Sequence, residues 1–172
     1  MSEHKRATIT TIFCITILVF LVAWDQPEVD AIALVNLERE QRGLQPLLLN
    51  ASLMHAADGH SRDMATNGFL GHTGSDGSTP WERMRREGYT DWFAAGEVIV
   101  VAATAKAAVY HLMQDQAHRD ILLKPVFNEM GVGYVHDPNS PYRHYWTMDL
   151  GGRHLCENCN IKTYLPTVRK KG

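Results

Sequence analysis

The stretch NASLMHAADGHSRDMATNG, residues 50–68, carries the clearest periodicity in the chain. Apolar and small side chains recur there at the i, i+3, i+4 and i+7 spacing that places them on one face of a helix. Asn50 precedes the pattern as a candidate helix cap, and Asn67-Gly68 ends it. The pattern therefore predicts an amphipathic helix whose packed face consists of Leu53, Ala56, Ala57, His60, Ser61, Met64 and Ala65.

Three further helices are predicted on either side of this stretch. Val29–Gln41 has roughly helical apolar spacing, and a glycine two residues later stops it. The sequence Thr79-Pro80-Trp81-Glu82 is that of a capping box with proline in the first helical position, which predicts a short helix to Gly88. Thr104 is placed to cap another helix that runs through about Gln116.

Strands are predicted mainly late in the sequence. GVGYVHD (131–137) and RHYWTMDLG (143–151) alternate well enough for two strands, with PNSP (138–141) as the turn between them. EVIVVA (97–102) is β-branched and apolar, so it is either a strand or the edge of a buried helix. GLQPLLLN (43–50) is predicted to be a loop. Helices packed on an antiparallel sheet follow, which is an α+β architecture.

Composition and motifs exclude several classes of protein. The 172 residues are 45% hydrophobic and 21% charged, as in a globular protein of one domain. The formal net charge is −2, so no nucleic-acid partner is expected. The chain contains no H-E-x-x-H, P-loop or dinucleotide fingerprint. GHSRD around Ser61 lacks both the final glycine and the strand-to-helix turn of a serine-hydrolase elbow.

Residues 1–24 have the pattern of a signal peptide or an N-terminal membrane anchor. Lys5 and Arg6 precede an uncharged run at 7–23, and acidic residues follow it. An A-x-A cleavage pattern is missing at the end of the run, which favours an anchor that is retained. The positive-inside rule then predicts that the domain at 25–155 is extracytoplasmic and that the N-terminal segment contacts the membrane.

Two of the three cysteines lie in a C-terminal tail, residues 156–172. Cys156 and Cys159 are an even number in an oxidising compartment, which favours a structural disulfide. A zinc half-site with His154 lacks a fourth ligand nearby, and a thioredoxin-like role lacks its strand-to-helix context. Free thiols and intermolecular bridges are the remaining alternatives.

His111, Asp115 and His118 fall at i, i+4 and i+7 on the helix predicted after Thr104. If that helix persists through His118, all three side chains point to one side. Imidazoles and a carboxylate that converge on a point make a site for a divalent metal or for proton transfer, whereas the alternative is a solvated helix face. His60 lies on an apolar face, and we expect it to be a core histidine with its polar atoms satisfied.

Six blocks of the sequence, between about residues 30 and 152, resemble successive blocks of one family, the CAP superfamily in its compact bacterial form. This family includes cysteine-rich secretory proteins, insect antigens and plant pathogenesis-related proteins. The blocks are VNLEREQRGLQPL (35–47), LMHAADGHSRDM (53–64), FLGHTGSDGSTPWERMRREGY (69–89), GE (96–97), HRDILLKPVFNEMGVGY (118–134) and YWTMDLGG (145–152).

The resemblance implies an α-β-α sandwich outside the cytoplasm, with a cleft lined by two histidines and two acids. His72 matches the first histidine and Glu97 the first acid, in the block that the family writes as GEN. His118 matches the second histidine, and Asp115 stands where the second acid is expected. Glu129 also matches the family pattern, and it either lines the cleft or fixes a turn.

Three positions depart from the family pattern by carrying aliphatic residues. Val98 replaces an asparagine, Leu112 replaces a tryptophan, and Ile121 replaces a second asparagine. The domain is still expected to fold. Hydrogen bonding that supports the cleft is expected to be weaker than in the family.

The resemblance leaves three hypotheses for function. In the first, the protein is a non-enzymatic module that binds a small molecule, a lipid or an envelope component through the cleft. In the second, it is a zinc-dependent hydrolase in which His72 and His118 bind the metal and Glu97 or Asp115 activates water. In the third, it is a structural envelope protein with a vestigial cleft. Zinc bound by the two histidines is the cofactor considered, and the alternative is no cofactor.

Overall fold

The computed structural model describes residues 27–154, which form five helices and four strands in an α+β fold. The helices are α1 (Pro27–Glu40), α2 (Ala51–Asn67), α3 (Pro80–Arg86), α4 (Ala105–Gln114) and α5 (Gln116–Leu122). The strands are β1 (Leu48–Leu49), β2 (Trp92–Val100), β3 (Glu129–His136) and β4 (His144–Arg153). The predicted fold class is confirmed, and the first four residues of EVIVVA end a strand that begins earlier than expected, at Trp92.

The four strands form one mixed sheet in the order β1-β3-β4-β2. β4 is antiparallel to both of its neighbours, so each residue near its middle faces one partner on β2 and one on β3. The segment at 43–50 was predicted to be a loop, and this prediction is wrong at Leu48 and Leu49. These two residues form strand β1, which pairs in parallel with Glu129 and Met130. Strand β2 lies at the opposite end of the sheet, which leaves its outer edge unpaired in the described part of the chain.

Helix α2 lies on one face of the sheet, and two glycines of β3 allow its close approach. A Cβ atom on Gly131 would collide with the backbone of Leu53 and Met54, and one on Gly133 would collide with the backbone of Ala57. The seven residues predicted for the packed face of α2 are all buried. The helical period therefore identified the correct face, and the glycines explain why this face meets strand backbone directly.

Helices α1, α4 and α5 cover the other face of the sheet around the main hydrophobic core. Val98 and Leu112, two of the positions that depart from the family pattern, are fully buried within this core. Ile121, the third, packs against the same core. These aliphatic side chains therefore contribute to packing in the core between the sheet and helices α1, α4 and α5.

Arg39 of α1 ties this layer together from the inside. Its guanidinium is 1% exposed and donates to the carbonyl oxygens of Gln45 (2.9 Å), Leu122 (2.8 Å), Lys124 (3.1 Å) and Phe127 (3.1 Å). Buried carbonyl groups need donors, and a planar guanidinium can satisfy several at once. One side chain thus joins α1 to the segment between α5 and β3.

The predicted helix caps are confirmed. The Asn50 side chain accepts from the N–H of Leu53 at 3.2 Å, and Gly68 ends α2 in the left-handed conformation with φ of 69°. At α3, Thr79 and Glu82 form the reciprocal capping box, with Pro80 in the first turn. At α4, the Thr104 side chain accepts from the N–H of Ala107 at 3.2 Å. These short-range signals positioned three helix starts because each involves residues only three apart in the chain.

The helix predicted from Thr104 through about Gln116 is present as α4, but it does not persist through His118 as the metal-site hypothesis required. α4 ends at Gln114, and Asp115 adopts an extended conformation with ψ of 127°. The Asp115 side chain then accepts from the N–H of His118 at 3.0 Å and so caps a new helix, α5. Capping by aspartate competes with helix continuation, and here it wins. His111 stays on α4, where its exposed ring packs edge-on against Tyr110.

Several predictions concern residues outside 27–154. These are the apolar run at 7–23 and the disulfide predicted between Cys156 and Cys159. Within the described residues, none of the helices has the length and apolarity needed to cross a membrane.

Candidate functional site

His72 lies in the turn between α2 and α3, and its ring is held by the carboxylate of Glu97. Its Nδ1 lies 2.7 Å from Glu97 Oε1. The side chain remains 52% exposed, so the ring is both anchored and reachable from solvent. Because Nδ1 is occupied, Nε2 is the ring nitrogen that remains available to a ligand.

Glu97 is the buried centre of this arrangement. Its side chain, on β2, is 1% exposed, and its second oxygen accepts from Arg83 Nη2 at 2.7 Å. Arg83 in turn donates to the carbonyl oxygens of Ser78 (2.9 Å) and His72 (3.0 Å). A buried carboxylate is tolerated only when charge and hydrogen bonds compensate for lost water. Arg83 supplies both, and it also fixes the turn that carries His72.

The electrostatics of the pair favour a protonated His72. The hydrogen bond to Glu97 raises the pKa of His72 above its ordinary value, burial opposes this shift, and the negative charge of Glu97 adds to it. A metal ion that binds the ring must therefore displace a proton held more tightly than in free histidine.

His60 of α2 contacts the turn that carries His72. It is fully buried, and its Nε2 lies 2.8 Å from the carbonyl oxygen of Gly71, next to His72. Burial lowers the pKa of His60, so the ring is neutral and Nε2 donates to this carbonyl. Its Nδ1 has no hydrogen-bond partner among the described residues. The expectation of a core histidine is confirmed by its burial, but the expectation that its polar atoms are satisfied is correct only for Nε2.

Asp115 and His118 form a second pair, at the start of α5. His118 Nδ1 lies 2.7 Å from Asp115 Oδ1, and the two side chains are 34% and 55% exposed, respectively. The N–H of His118 lowers the pKa of Asp115, and the imidazole adds to the effect. As with His72, the carboxylate occupies Nδ1 and leaves Nε2 available.

The two pairs approach β2 from opposite faces of the sheet. A Cβ atom on Gly96 would lie 2.9 Å from the Phe127 ring and 3.2 Å from Ile121 of α5. Side chains alternate along a strand, so Glu97 points to the other face, where Arg83 of α3 lies. A cleft shared by both pairs would therefore have to lie along the unpaired edge of β2.

The structure thus brings the four predicted residues together as two pairs. Among residues 27–154, no three histidine, cysteine or acidic side chains are grouped closely enough to hold one metal ion. The convergence of His72, Glu97, Asp115 and His118 in one cleft stays a prediction.

Glu129, the fifth predicted site residue, belongs to a separate buried cluster. Its carboxylate accepts from Asn50 Nδ2 (2.9 Å), the Tyr89 hydroxyl (2.8 Å), and both Nε (2.7 Å) and Nη2 (2.8 Å) of Arg153. Burial alone would raise the pKa of Glu129, but these donors outweigh it and the pKa is lowered. With all its lone pairs engaged, Glu129 fixes the junction of α2, α3 and the sheet, which favours the structural role over the cleft role.

Two residues of the site, Arg83 and Asp149, were not predicted from the sequence. Arg83 lies in the capped helix after the histidine turn, where an arginine has no distinctive pattern. Asp149 did have a signal, since it is the only carboxylate in the apolar strand YWTMDLGG. It is fully buried and lies directly opposite Glu97 in the register of β2 and β4.

A cavity of about 240 Å³ lies beside the His72 pair and not on it. It shares Arg83 and Ser78 with the support of His72, but neither His72 nor Glu97 lines it. Its other lining residues are His55, Ala56, Gly59, Asp63, Ser75, Asp76, Arg86 and Glu87. The pair of His72 and Glu97 is therefore a surface site, and the buried charges of Glu97 and Arg83 support it.

An α-β-α sandwich with a histidine turn anchored on a buried glutamate defines a class of small α+β domains. The model of the CAP, cysteine-rich secretory protein family matches residues 32–150. This match covers more than half of the 172 residues, so the chain belongs to that family.

Relatives and a solved structure agree with this assignment. The chain is 28% identical over 126 residues to the uncharacterized protein YkwD of Bacillus subtilis, covering 73% of this chain and 47% of YkwD. It is 32% identical over 101 residues to the uncharacterized membrane protein YlbC of the same organism, covering 58% of this chain and 29% of YlbC. The crystal structure of an extracellular protein containing an SCP domain from Bacillus anthracis aligns with a TM-score of 0.66 and 25% identity, over 74% of this chain and 40% of that one. The chain thus spans less than half the length of each of these relatives.

Proposed function

We propose that the protein is a non-enzymatic binding module outside the cytoplasmic membrane, and that His72 and His118 bind a divalent metal ion such as zinc along the edge of β2. The observation that carries this proposal is the shared geometry of the two imidazoles. In each imidazole, Nδ1 lies 2.7 Å from a carboxylate oxygen, so Nε2 remains available to a ligand.

The donor chemistry fits zinc. Histidines that bind metals commonly pass their other ring N–H to a carboxylate, which fixes the tautomer and strengthens the ligating nitrogen. Glu97 and Asp115 occupy these supporting positions. Two neutral imidazoles suit zinc, copper or nickel better than magnesium or calcium. A bound metal would supply a positive centre with open positions, to which an anionic group of a ligand or partner could attach.

The acids of the site are poor candidates for catalysis. Glu97 is held by His72 on one oxygen and by Arg83 on the other, and its side chain is only 1% exposed, so it is poorly placed to reach a substrate water. Asp115 has a lowered pKa, which makes it a weak general base near neutral pH. A binding role fits this arrangement better than the hydrolase hypothesis.

Calorimetric titration of zinc into the full chain, purified in a mild detergent, tests the proposal. The wild type should bind one zinc ion, and His72→Ala and His118→Ala should each weaken binding at least about tenfold, because each removes one of two ligands. His55→Ala, which changes an exposed histidine of α2, is the matched control and should bind as the wild type does.

Binding should also weaken as the pH falls, because protons compete for both rings. The raised pKa of His72 places its part of this loss above about pH 6.5, the ordinary value for histidine. No binding by the wild type, or binding by both alanine variants that equals that of the wild type, would contradict the metal site.

A further inference from the structure

Asp149 is a buried acid that the proposed metal site does not use. It is fully buried, and neither of its carboxyl oxygens accepts a hydrogen bond from any donor in the described part of the chain. Its register partner on β3 is Gly131, which brings no side chain, and its partner on β2 is Glu97. Residues directly opposite on neighbouring strands point to the same face, so the two carboxyl groups are adjacent.

The donors around this pair are unequally distributed. Glu97 receives both of them, His72 Nδ1 on one oxygen and Arg83 Nη2 on the other, each at 2.7 Å. Hydrogen bonds to the charged form of a carboxyl group stabilise that form, and of these two groups only Glu97 receives them. Two carboxylates side by side in a buried site cannot both carry a charge, and the member without donors takes the proton.

We propose that Asp149 is a neutral carboxylic acid at physiological pH and that it donates its O–H to Glu97, so that the two carboxyl groups together carry one negative charge. Asp149 is then a positioning residue. It holds Glu97 in the orientation that serves Arg83 and His72. This inference goes beyond the proposed function, because it requires no metal ion and the protonation of Asp149 can be measured on the protein alone.

The charges that face Asp149 support this assignment. Burial raises the pKa of Asp149 well above its ordinary value, and the negative charge of Glu97 on β2 and its hydrogen bond add to the shift. Arg83 of α3 acts in the opposite direction but does not cancel it. His60 of α2 is neutral, because burial lowers its pKa, and His72 lies beyond Glu97.

The protonation of Asp149 can be measured directly on the full chain. Aspartate labelled with ¹³C at the carboxyl carbon gives one resonance for each side chain, and Asp149→Asn identifies the resonance of interest by its loss. That resonance should have the chemical shift of a protonated acid at pH 7. A midpoint near the ordinary value of about 3.9 would overturn the proposal. Through-bond assignment in the wild type replaces the variant if Asp149→Asn does not fold.

Stability against pH gives a second measurement. A raised folded-state pKa stabilises the protein fully below the unfolded-state value of about 3.9, and this contribution is lost as the pH rises toward the folded-state pKa. Asp149→Asn removes that dependence, so its stability relative to the wild type should increase as the pH rises above about 4. A difference that does not change with pH would contradict the proposal. Asp120→Asn, which changes an exposed acid, is the control.

The positioning role is tested by comparing a donor with an apolar replacement. Asparagine can donate to Glu97 as the neutral acid does, whereas leucine cannot. The Nδ1 signal of His72 in ¹⁵N spectra should be kept in Asp149→Asn and altered in Asp149→Leu. If the two variants give the same His72 signal, Asp149 does not position Glu97.

Discussion

At the residue scale, the properties of His72 depend on two side chains that come from other elements. Glu97 on β2 binds the ring, and Arg83 on α3 holds Glu97 and the backbone of the turn. Each contact is 2.7–3.0 Å long, and the acid and the arginine are buried. The imidazole is exposed, whereas the charges that set its protonation are shielded from water and from salt.

Glu97→Gln should lower the pKa of His72, because the amide keeps the size of the side chain but removes the charge that favours imidazolium. NMR titration of the His72 ring protons measures this shift. The ring of His55, an exposed histidine, provides the control and should not move. An unchanged His72 midpoint would show that Glu97 does not set its protonation.

The same substitution should change stability in a pH-dependent way. The raised pKa of His72 stabilises the fold below the ordinary value of about 6.5, and this contribution is lost as the pH rises through the folded-state pKa. The stability gap between wild type and Glu97→Gln should therefore be larger at pH 5 than at pH 8. Urea denaturation at the two pH values measures the gap.

At the element scale, the contact between α2 and β3 depends on glycine in the strand. The helix meets the strand backbone at Gly131 and Gly133, where no side chain fits. The helix also contains a glycine, Gly59, and a Cβ atom there would meet nothing within 4 Å. Substitution by alanine is therefore expected to have opposite effects on stability at the strand glycines and at Gly59 of the helix.

Gly133→Ala should destabilise the protein by about 1–3 kcal/mol or more, because the new methyl group overlaps the backbone of Ala57 and forces the helix away. Gly59→Ala should stabilise it by about 1 kcal/mol, because alanine is a better helix former and meets no obstacle. Urea denaturation of both variants measures these changes. A neutral Gly133→Ala would mean that α2 does not lie as close to β3 as described.

At the scale of the whole molecule, the location of the domain depends on residues 1–24. The basic residues Lys5 and Arg6, followed by the apolar run, predict export and membrane contact. Among the relatives, YlbC is described as a membrane protein and the Bacillus anthracis protein as extracellular.

Fusion of residues 1–30 to an enzyme that is active only outside the cytoplasm tests this location. The fusion should be active in cells, because the apolar run carries the enzyme across the membrane. The same fusion without residues 7–23 is the control and should be silent. An inactive full fusion would contradict the extracytoplasmic location.

The sequence by itself determined the fold class, most of the helices and the two late strands. The caps at Asn50, Thr79 and Thr104 and the packed face of α2 follow from residues three or four apart, and such local chemistry acts in any tertiary context. Alternation predicted β3 and β4 correctly for the same reason. The family blocks identified His72, Glu97, Asp115 and His118, and the structure joins these as two pairs.

Only the tertiary structure decided which charges meet. Asp149 lies opposite Glu97 because of the register of β2 and β4, and Arg83 reaches Glu97 because α3 packs on that face. The parallel pairing of β1 likewise requires β3, which lies some eighty residues later in the chain. Contacts between distant segments depend on the whole sheet being assembled, and no local pattern encodes a register. The break at Asp115 is different in kind, because it follows from a local contact: the Asp115 side chain accepts from the N–H of His118 and so caps α5 instead of continuing α4.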